Sequence, residues 1–485
     1  MELRRRAMVG VAWSFAETWG TQLFQLVAFL TLARLLGPEG YGLVAIAMLV
    51  VLAGQLFVTN GGWLEALIQR RGLEDRHCDT AFACVVGVGV GVTGLGVLGA
   101  PLLGRLFGRS DLVDIMRCLA VIPVLSSITL VPLALLQREM SFSALTLRST
   151  LATVLSGTLG IGLALGGAGV WSLVAQEVAL RVVSLVVVWR AHPWRPRLRF
   201  SAADLRELLP RAAPVFGASA AGMAEDFLLR GVVGYAFGPA IAGNLFLARK
   251  VVDVLRELLV TPWIRVALPV FARLQDRPES MGRALALVAQ GVAVVAVPGF
   301  LGLAAVAPSF VPAVLGPSWR ASIPLVQLLA VAGLLAVVPL VLAPLLQGAG
   351  RFGLELRLRL VGLLLTMLLL PFGLPFGIVG IAAALAVRAS AMLPIRLIVV
   401  QRALAVALDG LFGRVRPVLL AGCAMVALVE TWRWTLGASL NPTTNLIASV
   451  LIGGVAYVIG LLVLARRSLE EALASVREMR RNESP

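Results

Sequence analysis

The chain contains few of the side chains on which enzymes and metalloproteins rely. Among its 485 residues there are two histidines, His77 and His192, and a single lysine, Lys250. The four cysteines lie in or beside apolar segments: Cys78, Cys84, Cys118 and Cys423. Because they form no C-x-x-C pair, we interpret them as small buried residues and predict no disulfide framework. Without a metal-ligand cluster, neither a metal site nor a cofactor is expected.

Charge is also scarce, at 14% of residues against 59% hydrophobic residues. A soluble protein of this length could not bury that much apolar surface, so the sequence predicts an all-α integral membrane protein. The chain has no nucleophile elbow, no P-loop and no paired carboxylates on a soluble segment. These absences argue against an enzyme.

One nucleotide-binding pattern has to be set aside. Gly89, Gly91 and Gly94 match the dinucleotide pattern G-x-G-x-x-G. That pattern binds a pyrophosphate only between a strand and a helix, whereas here it lies inside a predicted span. We therefore interpret these glycines as helix-packing positions.

Apolar stretches of about 20 residues, enough to cross a bilayer as a helix, recur along the chain. We predict about fourteen spans, at 11–36, 41–61, 80–101, 112–136, 147–166, 170–189, 212–232, 240–262, 284–306, 322–346, 358–374, 377–400, 417–436 and 444–465. The first span is too long for the core of a signal peptide and lacks a cleavage site, so we expect it to be retained.

The arginines alternate between the two sides of these spans. On one side lie 29 loop arginines, and on the other side six. The positive-inside rule then predicts that both termini are cytoplasmic. The same bias accounts for the net charge of +16. Because the arginines are spread over every loop of one side, nucleic acid is not an expected partner.

The chain repeats itself at an offset of about 200 to 210 residues. LLGPEGYG (35–42) resembles AFGPAIAG (236–243), ALLQ (134–137) resembles PLLQ (344–347), and the Gly-x-x-Gly pair at 166–169 resembles that at 377–380. These matches predict two six-helix lobes in the same orientation, at 1–200 and 201–410, followed by two further helices in 411–485. In transporters of this design, the substrate path lies between the lobes.

Several segments resemble a known family. They are ARLLGPEGYG (33–42), ALIQRRGLEDRHCDTAF (66–82), PLALLQREMSF (132–142), VALPVFARLQ (266–275) and LLQGAGR (345–351). These segments are similar to bacterial polysaccharide exporters of the Wzx type, in the multidrug/oligosaccharidyl-lipid/polysaccharide superfamily. The resemblance implies a MATE-like fold with twelve core helices in two lobes and a central cavity that opens alternately to either side.

The same resemblance implies a substrate and a location. The substrate is an oligosaccharide on an undecaprenyl diphosphate carrier, flipped from the cytoplasmic to the periplasmic leaflet of the bacterial inner membrane. The implied partners are membrane lipids and the polysaccharide polymerase machinery, with H⁺ or Na⁺ as the coupling ion. The alternative within the superfamily is a cation-coupled multidrug antiporter.

One predicted helix is unusually rich in charge. In LARKVVDVLRELL (247–259), the residues Arg249, Lys250, Asp253, Arg256 and Glu257 fall within an arc of roughly 120° on a helical wheel. Charges near mid-bilayer cost about 2.5–3.5 kcal/mol each, so this face is predicted to line a hydrated cavity, while the apolar remainder is compatible with lipid.

The preceding helix adds Glu225, Asp226 and Arg230, and across both helices four bases balance four acids. Two interpretations stay open. In the first, the acids and bases form a structural ion network. In the second, the four bases contact the substrate and the acids serve ion coupling.

Cations and an acid in other helices are further candidates. Arg181 lies in the sixth span beside Glu177, and Arg388 in the twelfth span has no acidic residue within one turn. We predict both as substrate contacts, with Arg388 the best single candidate for a diphosphate or an acidic sugar. Glu17, the only acid in the first span, is a candidate for proton coupling, and a polar helix–helix contact is the alternative.

Overall fold

The structure of the protein is a computed structural model. It describes residues 2–70, 72–197, 199–274, 278–406 and 408–464, apart from the side chains of 2–19, 211, 213–215, 218, 265, 266, 278, 352, 409 and 438. In these ranges the chain is helical and contains no strand. The predicted all-α fold is confirmed.

The chain divides into two compact units, Met1–Gly243 and Asn244–Pro485. The helices that begin in the first unit are α1 (Glu2–Gly54), α2 (Trp63–Gln69), α3 (Asp75–Leu106), α4 (Asp111–Leu119), α5 (Ile122–Arg138), α6 (Phe142–Leu165), α7 (Trp171–Ala191) and α8 (Ala202–Leu259). Those that begin in the second are α9 (Thr261–Arg273), α10 (Pro278–Phe310), α11 (Ile323–Gly348), α12 (Phe352–Gly373), α13 (Gly377–Leu404), α14 (Asp409–Thr435) and α15 (Pro442–Leu464). The lobe boundaries predicted from the repeats stay a prediction.

Eleven helical segments within the described residues are long and apolar enough to cross a membrane. Three of them, Gly20–Gln69, Ser219–Leu259 and Gly353–Leu404, are 50, 41 and 52 residues long. Because one crossing takes about 20 residues, each of these three is long enough for two. The chain is therefore a multi-pass membrane protein, and the number of fourteen spans stays a prediction.

Two of these long segments turn sharply at a glycine. Gly37 in α1 has φ 67° and ψ −179°, and Gly238 in α8 has φ 77° and ψ 178°. Only glycine adopts this backbone region without strain, and the proline that follows each one cannot supply a helical hydrogen bond. The two resembling motifs LLGPEGYG and AFGPAIAG thus form the same turn.

A second pair of equivalent turns shows the repeat in the backbone. After ALLQ the chain turns at Met140 with φ 54°, and after PLLQ it turns at Gly350 with φ 71°. The Gly-x-x-Gly pair does not match in this way, because Gly166 has φ −74° whereas Gly377 has φ 66°. Two of the three predicted matches therefore share a backbone conformation, and the third is similar in sequence alone.

The connection between α7 and α8 is fixed to the first unit by hydrogen bonds. His192, at the end of α7, is 3.1 Å from Glu139 through Nε2, and its Nδ1 accepts the backbone N–H of Trp194. Asp79 in α3 accepts the backbone N–H of Arg197 at 3.1 Å. Both His77 and His192 are buried, and each holds a backbone N–H in place.

The glycine pattern in α3 serves packing at one of its three positions. A Cβ added to Gly89 would come within 2.5 Å of the Ser127 Oγ of α5. Gly91 and Gly94 have no neighbour within 4 Å of such an atom. The packing interpretation holds for Gly89, and it is wrong for the other two because they point away from α5.

The prediction that all four cysteines are buried is wrong for two of them. Cys78 is buried and Cys84 is half-buried, whereas Cys118 and Cys423 are exposed. In a multi-pass membrane protein a weakly polar thiol can face the lipid at little cost, which a sequence pattern cannot distinguish from burial.

The last two helices pack within the second unit. The Tyr457 hydroxyl of α15 donates to the Val294 carbonyl of α10 at 2.8 Å. Gly453 of α15 faces Met425 and Val429 of α14, so that the two helices lie close together. These contacts make α14 and α15 an integral part of that unit.

Candidate functional site

The charged helix segment is the second limb of α8, after the turn at Gly238. Lys250 and Arg256 are exposed there, and Arg249, Asp253 and Glu257 are half-buried. On the opposite side Leu247, Ala248, Val251 and Val252 are buried. The polar face was thus predicted correctly from the helical period. The apolar side, which the sequence shows to be compatible with lipid, packs on protein in the structure.

The neighbours of that apolar side are α10 and α11. A Cβ on Gly333 of α11 would lie 3.0 Å from Val252 and 2.8 Å from Phe300 of α10. A Cβ on Gly299 of α10 would likewise contact the side chains of Leu255 and Leu259. Because glycines supply the close approach, the limb lies tightly against these helices and its polar face is held outward.

Two hydrogen-bonded contacts are formed on the polar face itself. Arg256 Nη2 lies 3.0 Å from Asp253 Oδ1, one turn away on the helix. Glu257 Oε2 accepts the hydroxyl of Thr261 at 3.1 Å. An ion pair this exposed contributes about 0–1 kcal/mol, so it orients the two side chains more than it stabilises the fold.

The first limb of α8 carries the other predicted charges. Glu225, Asp226 and Arg230 are half-buried, and Arg230 Nη1 donates to the Ala45 carbonyl of α1 at 3.0 Å. This contact lies within the first unit. A network joining these three residues to the charges of the second limb stays a prediction.

The cations of α13 have different surroundings. Arg388 Nη1 lies 3.5 Å from the Thr366 hydroxyl of α12. Arg396 donates from Nη1 and Nη2 to the two carboxylate oxygens of Glu355 in α12, at 3.1 and 3.3 Å. Glu355 also accepts a hydrogen bond from Arg359 at 3.0 Å. Arg396 is therefore neutralised by a buried acid. Glu355 was missed because it was assigned to a loop before the eleventh span.

Two arginines lie close together on the packed helices α6 and α7. Arg148 Nη1 donates to the Ser184 hydroxyl of α7 at 3.3 Å, and Arg181 lies one turn before Ser184 on the same helix, so the two positive charges repel each other. Both side chains are half-buried. The Nε atoms of both are buried without a hydrogen-bond partner, and within the described part of the chain neither arginine forms an ion pair.

The depth of this arginine pair follows from the helix lengths. Arg148 lies six residues after the start of α6 and Arg181 ten residues before the end of α7, roughly 9 and 15 Å along the two helices. The two helices form a hairpin, so both distances run from the same membrane side. Arg181 was predicted from the sequence, whereas Arg148 was counted among the arginines of the cytoplasmic side because it is only the second residue of the predicted span 147–166; α6 begins at Phe142.

Two like charges in this position favour an anionic ligand. Burying an unpaired cation costs several kcal/mol, and two neighbouring cations add repulsion. Guanidinium groups bind phosphate oxygens in pairs, and Ser184 adds a hydroxyl. No group of three or more His, Cys, Asp or Glu side chains within the described residues could hold a metal ion.

The predicted coupling residue Glu17 has a side chain outside the described residues, although its backbone belongs to α1. That helix packs on α6, where Gln25 Nε2 donates to the Thr153 hydroxyl at 3.2 Å and Phe24 lies against Gly157. Glu17 precedes Gln25 by eight residues, or about 12 Å along α1.

Comparison with known proteins gives consistent results. The succinoglycan biosynthesis transport protein ExoT of Rhizobium meliloti (strain 1021) is 26% identical, with 97% of this chain and 95% of that protein aligned. The lipopolysaccharide biosynthesis protein WzxC of Escherichia coli (strain K12) is 26% identical, with 74% and 73% aligned.

Two solved structures share the fold. The lipid II flippase MurJ in an inward closed conformation superposes with a TM-score of 0.75 at 12% identity, covering 95% of this chain and all of that one. An inward-facing MATE family multidrug transporter gives 0.63 at 17% identity, covering 79% and 94%. The predicted MATE-like architecture is confirmed.

The description of the matching family agrees with the resemblance found in the sequence. The polysaccharide biosynthesis protein family (Polysacc_synt_3) matches residues 31–324, which is more than half of the chain. The chain therefore belongs to the polysaccharide biosynthesis protein family, as the resemblance to Wzx-type exporters predicts.

Proposed function

We propose that this protein is a flippase for lipid-linked oligosaccharides that supplies polysaccharide assembly. Its family membership and its relatives ExoT and WzxC support a transport protein rather than an enzyme. The substrate is an oligosaccharide on a polyprenyl diphosphate, moved from the cytoplasmic to the periplasmic leaflet of the bacterial inner membrane by alternating access. The arginine bias between the two sides supports an orientation with both termini in the cytoplasm.

The observation that carries this proposal is the arginine pair, Arg148 and Arg181. A diphosphate brings two or more negative charges and several acceptor oxygens, which suits two guanidinium groups and the hydroxyl of Ser184. Because the pair lies on one membrane side of its helix hairpin, a headgroup reaching it is still at the leaflet from which it came. The pair is thus the loading site for the diphosphate.

The bases on the second limb of α8, which are half-buried Arg249 and exposed Lys250 and Arg256, are proposed to bind the headgroup further along the path. Arg230 and Arg388 are proposed as further contacts, each already held in place by a hydrogen bond to α1 or α12. Among the acids, Glu17 is the proposed site of H⁺ or Na⁺ coupling, and the acids of α8 form the proposed ion network: Glu225, Asp226, Asp253 and Glu257. The polysaccharide polymerase machinery is the proposed recipient of the product.

A multidrug antiporter is the alternative, and the MATE fold similarity is compatible with it. Cationic drugs favour acidic pockets, whereas Arg148 and Arg181 would repel a cation. The electrostatics of this site therefore favour an anionic substrate.

The proposal is tested by the affinity of the purified protein for undecaprenyl diphosphate in detergent. A charge-assisted hydrogen bond contributes about 1.5–3 kcal/mol, so Arg148→Gln and Arg181→Gln should each weaken binding by about tenfold or more. Arg433→Gln serves as the matched control, since Arg433 is already paired with Glu430 at 2.7 Å. Unchanged affinity in folded Arg148 and Arg181 variants would exclude the pair as the headgroup site.

A further inference from the structure

The two turn motifs of the repeat, LLGPEGYG and AFGPAIAG, pack against each other. A Cβ added to Gly42 would overlap the carbonyl oxygen of Pro239 and lie 2.9 Å from the backbone nitrogen of Gly243. A Cβ added to Gly243 would overlap the carbonyl oxygen of Pro38 and lie 3.0 Å from the nitrogen of Gly42. The contact is thus reciprocal, with each glycine facing the proline carbonyl of the other motif.

The three atoms nearest to each added Cβ are backbone atoms of the other motif. A Cα–H bond of each glycine points at a carbonyl oxygen, which is a weak attraction available only at very short range. Because these nearest atoms are backbone on both sides, parting the two glycines breaks no side-chain packing between them. Such a contact is close-packed when the two motifs meet, and their separation costs little packing energy.

The surroundings of the contact are tight on one side and polar on the other. One turn before the Gly238 turn, Gly234 lies against Ile46 and Phe107. Beside the Gly37 turn, Arg109 donates to Glu39 at 2.8 Å and is paired with Asp111 at 2.7 Å. The polar pairs are partly exposed, so the contact lies at the end of the helices.

The contact also lies beside the predicted substrate path. Ala45, whose carbonyl accepts from Arg230, follows Gly42 by three residues, and Arg249 follows Gly243 by six residues. At 1.5 Å per residue these groups lie about 5 and 9 Å further along their helices. The charged residues Arg230 and Arg249 therefore lie about one to two helical turns from the contact, toward the middle of the helices.

We propose that Gly42, Gly243, Pro38 and Pro239 form a glycine seal, which closes the transport path on the periplasmic side and opens in each cycle. The inference rests on the proposed transport function, since only a protein that opens to both sides needs such a seal. The equivalent glycine turns at Gly37 and Gly238 allow the two helices to part symmetrically, because each motif contributes the same surface.

Alanine substitutions test the seal, because an added methyl group must separate the two motifs. We expect Gly42→Ala and Gly243→Ala to shift the population toward the open state by about tenfold or more, as overpacking of a close contact does. The matched controls are Gly20→Ala in α1 and Gly231→Ala in α8, where an added Cβ has no neighbour within 4 Å. These controls should behave as the wild type.

Opening is measured with a reporter cysteine in cells. Ala45→Cys places a thiol at a position 8% exposed, just inside the seal. A membrane-impermeant maleimide added from outside then labels it only when the seal is open. Exposed Cys118 and Cys423 are first replaced by serine, and Ala134→Cys, at a position 1% exposed, reports the background of a buried site.

Labelling about tenfold faster in the Gly42 and Gly243 variants, with both controls at the wild-type rate, supports the seal. Equal labelling in all folded variants overturns it. If the alanine variants fail to reach the membrane, the seal is tested instead in the chain that keeps Gly42 and Gly243 and carries only the reporter cysteine. Labelling of Ala45→Cys above that of Ala134→Cys during polysaccharide synthesis supports an opening seal, and labelling no higher overturns it.

The readout does not depend on substrate affinity. Failure of the headgroup site would therefore appear in the diphosphate affinity of the Arg148 and Arg181 variants and leave the labelling rates unchanged. Failure of the seal would appear in the labelling rates alone.

Discussion

The buried acid of α12 allows a quantitative prediction. Glu355 has a side chain 7% exposed and binds two arginines of very different burial, Arg396 at 11% and Arg359 at 40%. Glu355→Ala leaves Arg396 buried without a counter-charge, which costs about 3–5 kcal/mol. Arg359→Ala removes a half-exposed partner and should cost about 0–1 kcal/mol. The expected difference between the two variants is therefore several kcal/mol.

Arg396→Ala is expected to lie between these values, because Glu355 then keeps Arg359 as its partner. The double variant Glu355→Ala/Arg396→Ala removes both buried charges together. It should be more stable than Glu355→Ala alone, since an unpaired buried charge costs more than a missing pair.

The assay is equilibrium unfolding of the purified protein in detergent, with the free energy of unfolding compared among the four variants. The reasoning would be refuted if Glu355→Ala lay within about 1 kcal/mol of the wild type, below the cost of an unpaired buried charge. It would also be refuted if the double variant were less stable than Glu355→Ala.

Two further predictions concern turns at the helix ends. Met140 is 69% exposed and has φ 54°, a left-handed conformation that its counterpart in the repeat, Gly350, adopts without strain. Met140→Gly should therefore raise the free energy of unfolding by about 0.5–1 kcal/mol, and Gly350→Ala should lower it by about 1 kcal/mol. Thermal unfolding measures both changes. The hydrogen bonds that Arg109 donates to Asp111 and then to Glu39 hold the pKa of Arg109 above its usual value. The stability this raised pKa contributes is fully present below the unfolded-state pKa and is lost only as the pH rises through the still higher folded-state value. Arg109→Gln should thus cost at most about 1 kcal/mol, equally at pH 6 and pH 9, in the same assay; a loss confined to pH 9 would contradict this.

The sequence predicts the features of this protein that depend on local periodicity. The polar face of the second α8 limb follows from the helical repeat, and in the structure Lys250 and Arg256 are exposed whereas Leu247 and Val251 are buried. The turn motifs were likewise visible, because a glycine followed by a proline has few conformational choices.

Pairing between distant residues could not be predicted in the same way. Arg148 and Arg181 are 33 residues apart, and their encounter depends on the packing of α6 on α7. Glu355 is 41 residues from Arg396, so the local sequence around Arg396 does not contain its counter-charge. A lone charge on a helix has no periodic signal that identifies its partner across the bundle.

The close approach of the two turn motifs was hidden for a related reason. Similar motifs in two halves predict equivalent structures, and they do not predict mutual contact. The repeat at Gly42 and Gly243 was therefore visible, whereas the glycine seal emerges only from the three-dimensional arrangement.

The central claim is that the arginine pair loads an anionic headgroup for transport. The direct measurement is the movement of a fluorescent undecaprenyl diphosphate-linked oligosaccharide between leaflets of proteoliposomes containing the wild type, Arg148→Gln, Arg181→Gln or the control Arg433→Gln. The account predicts that the first two substitutions each slow transport by about tenfold or more while the control stays at the wild-type rate. Wild-type transport by the folded Arg148 and Arg181 variants would contradict it.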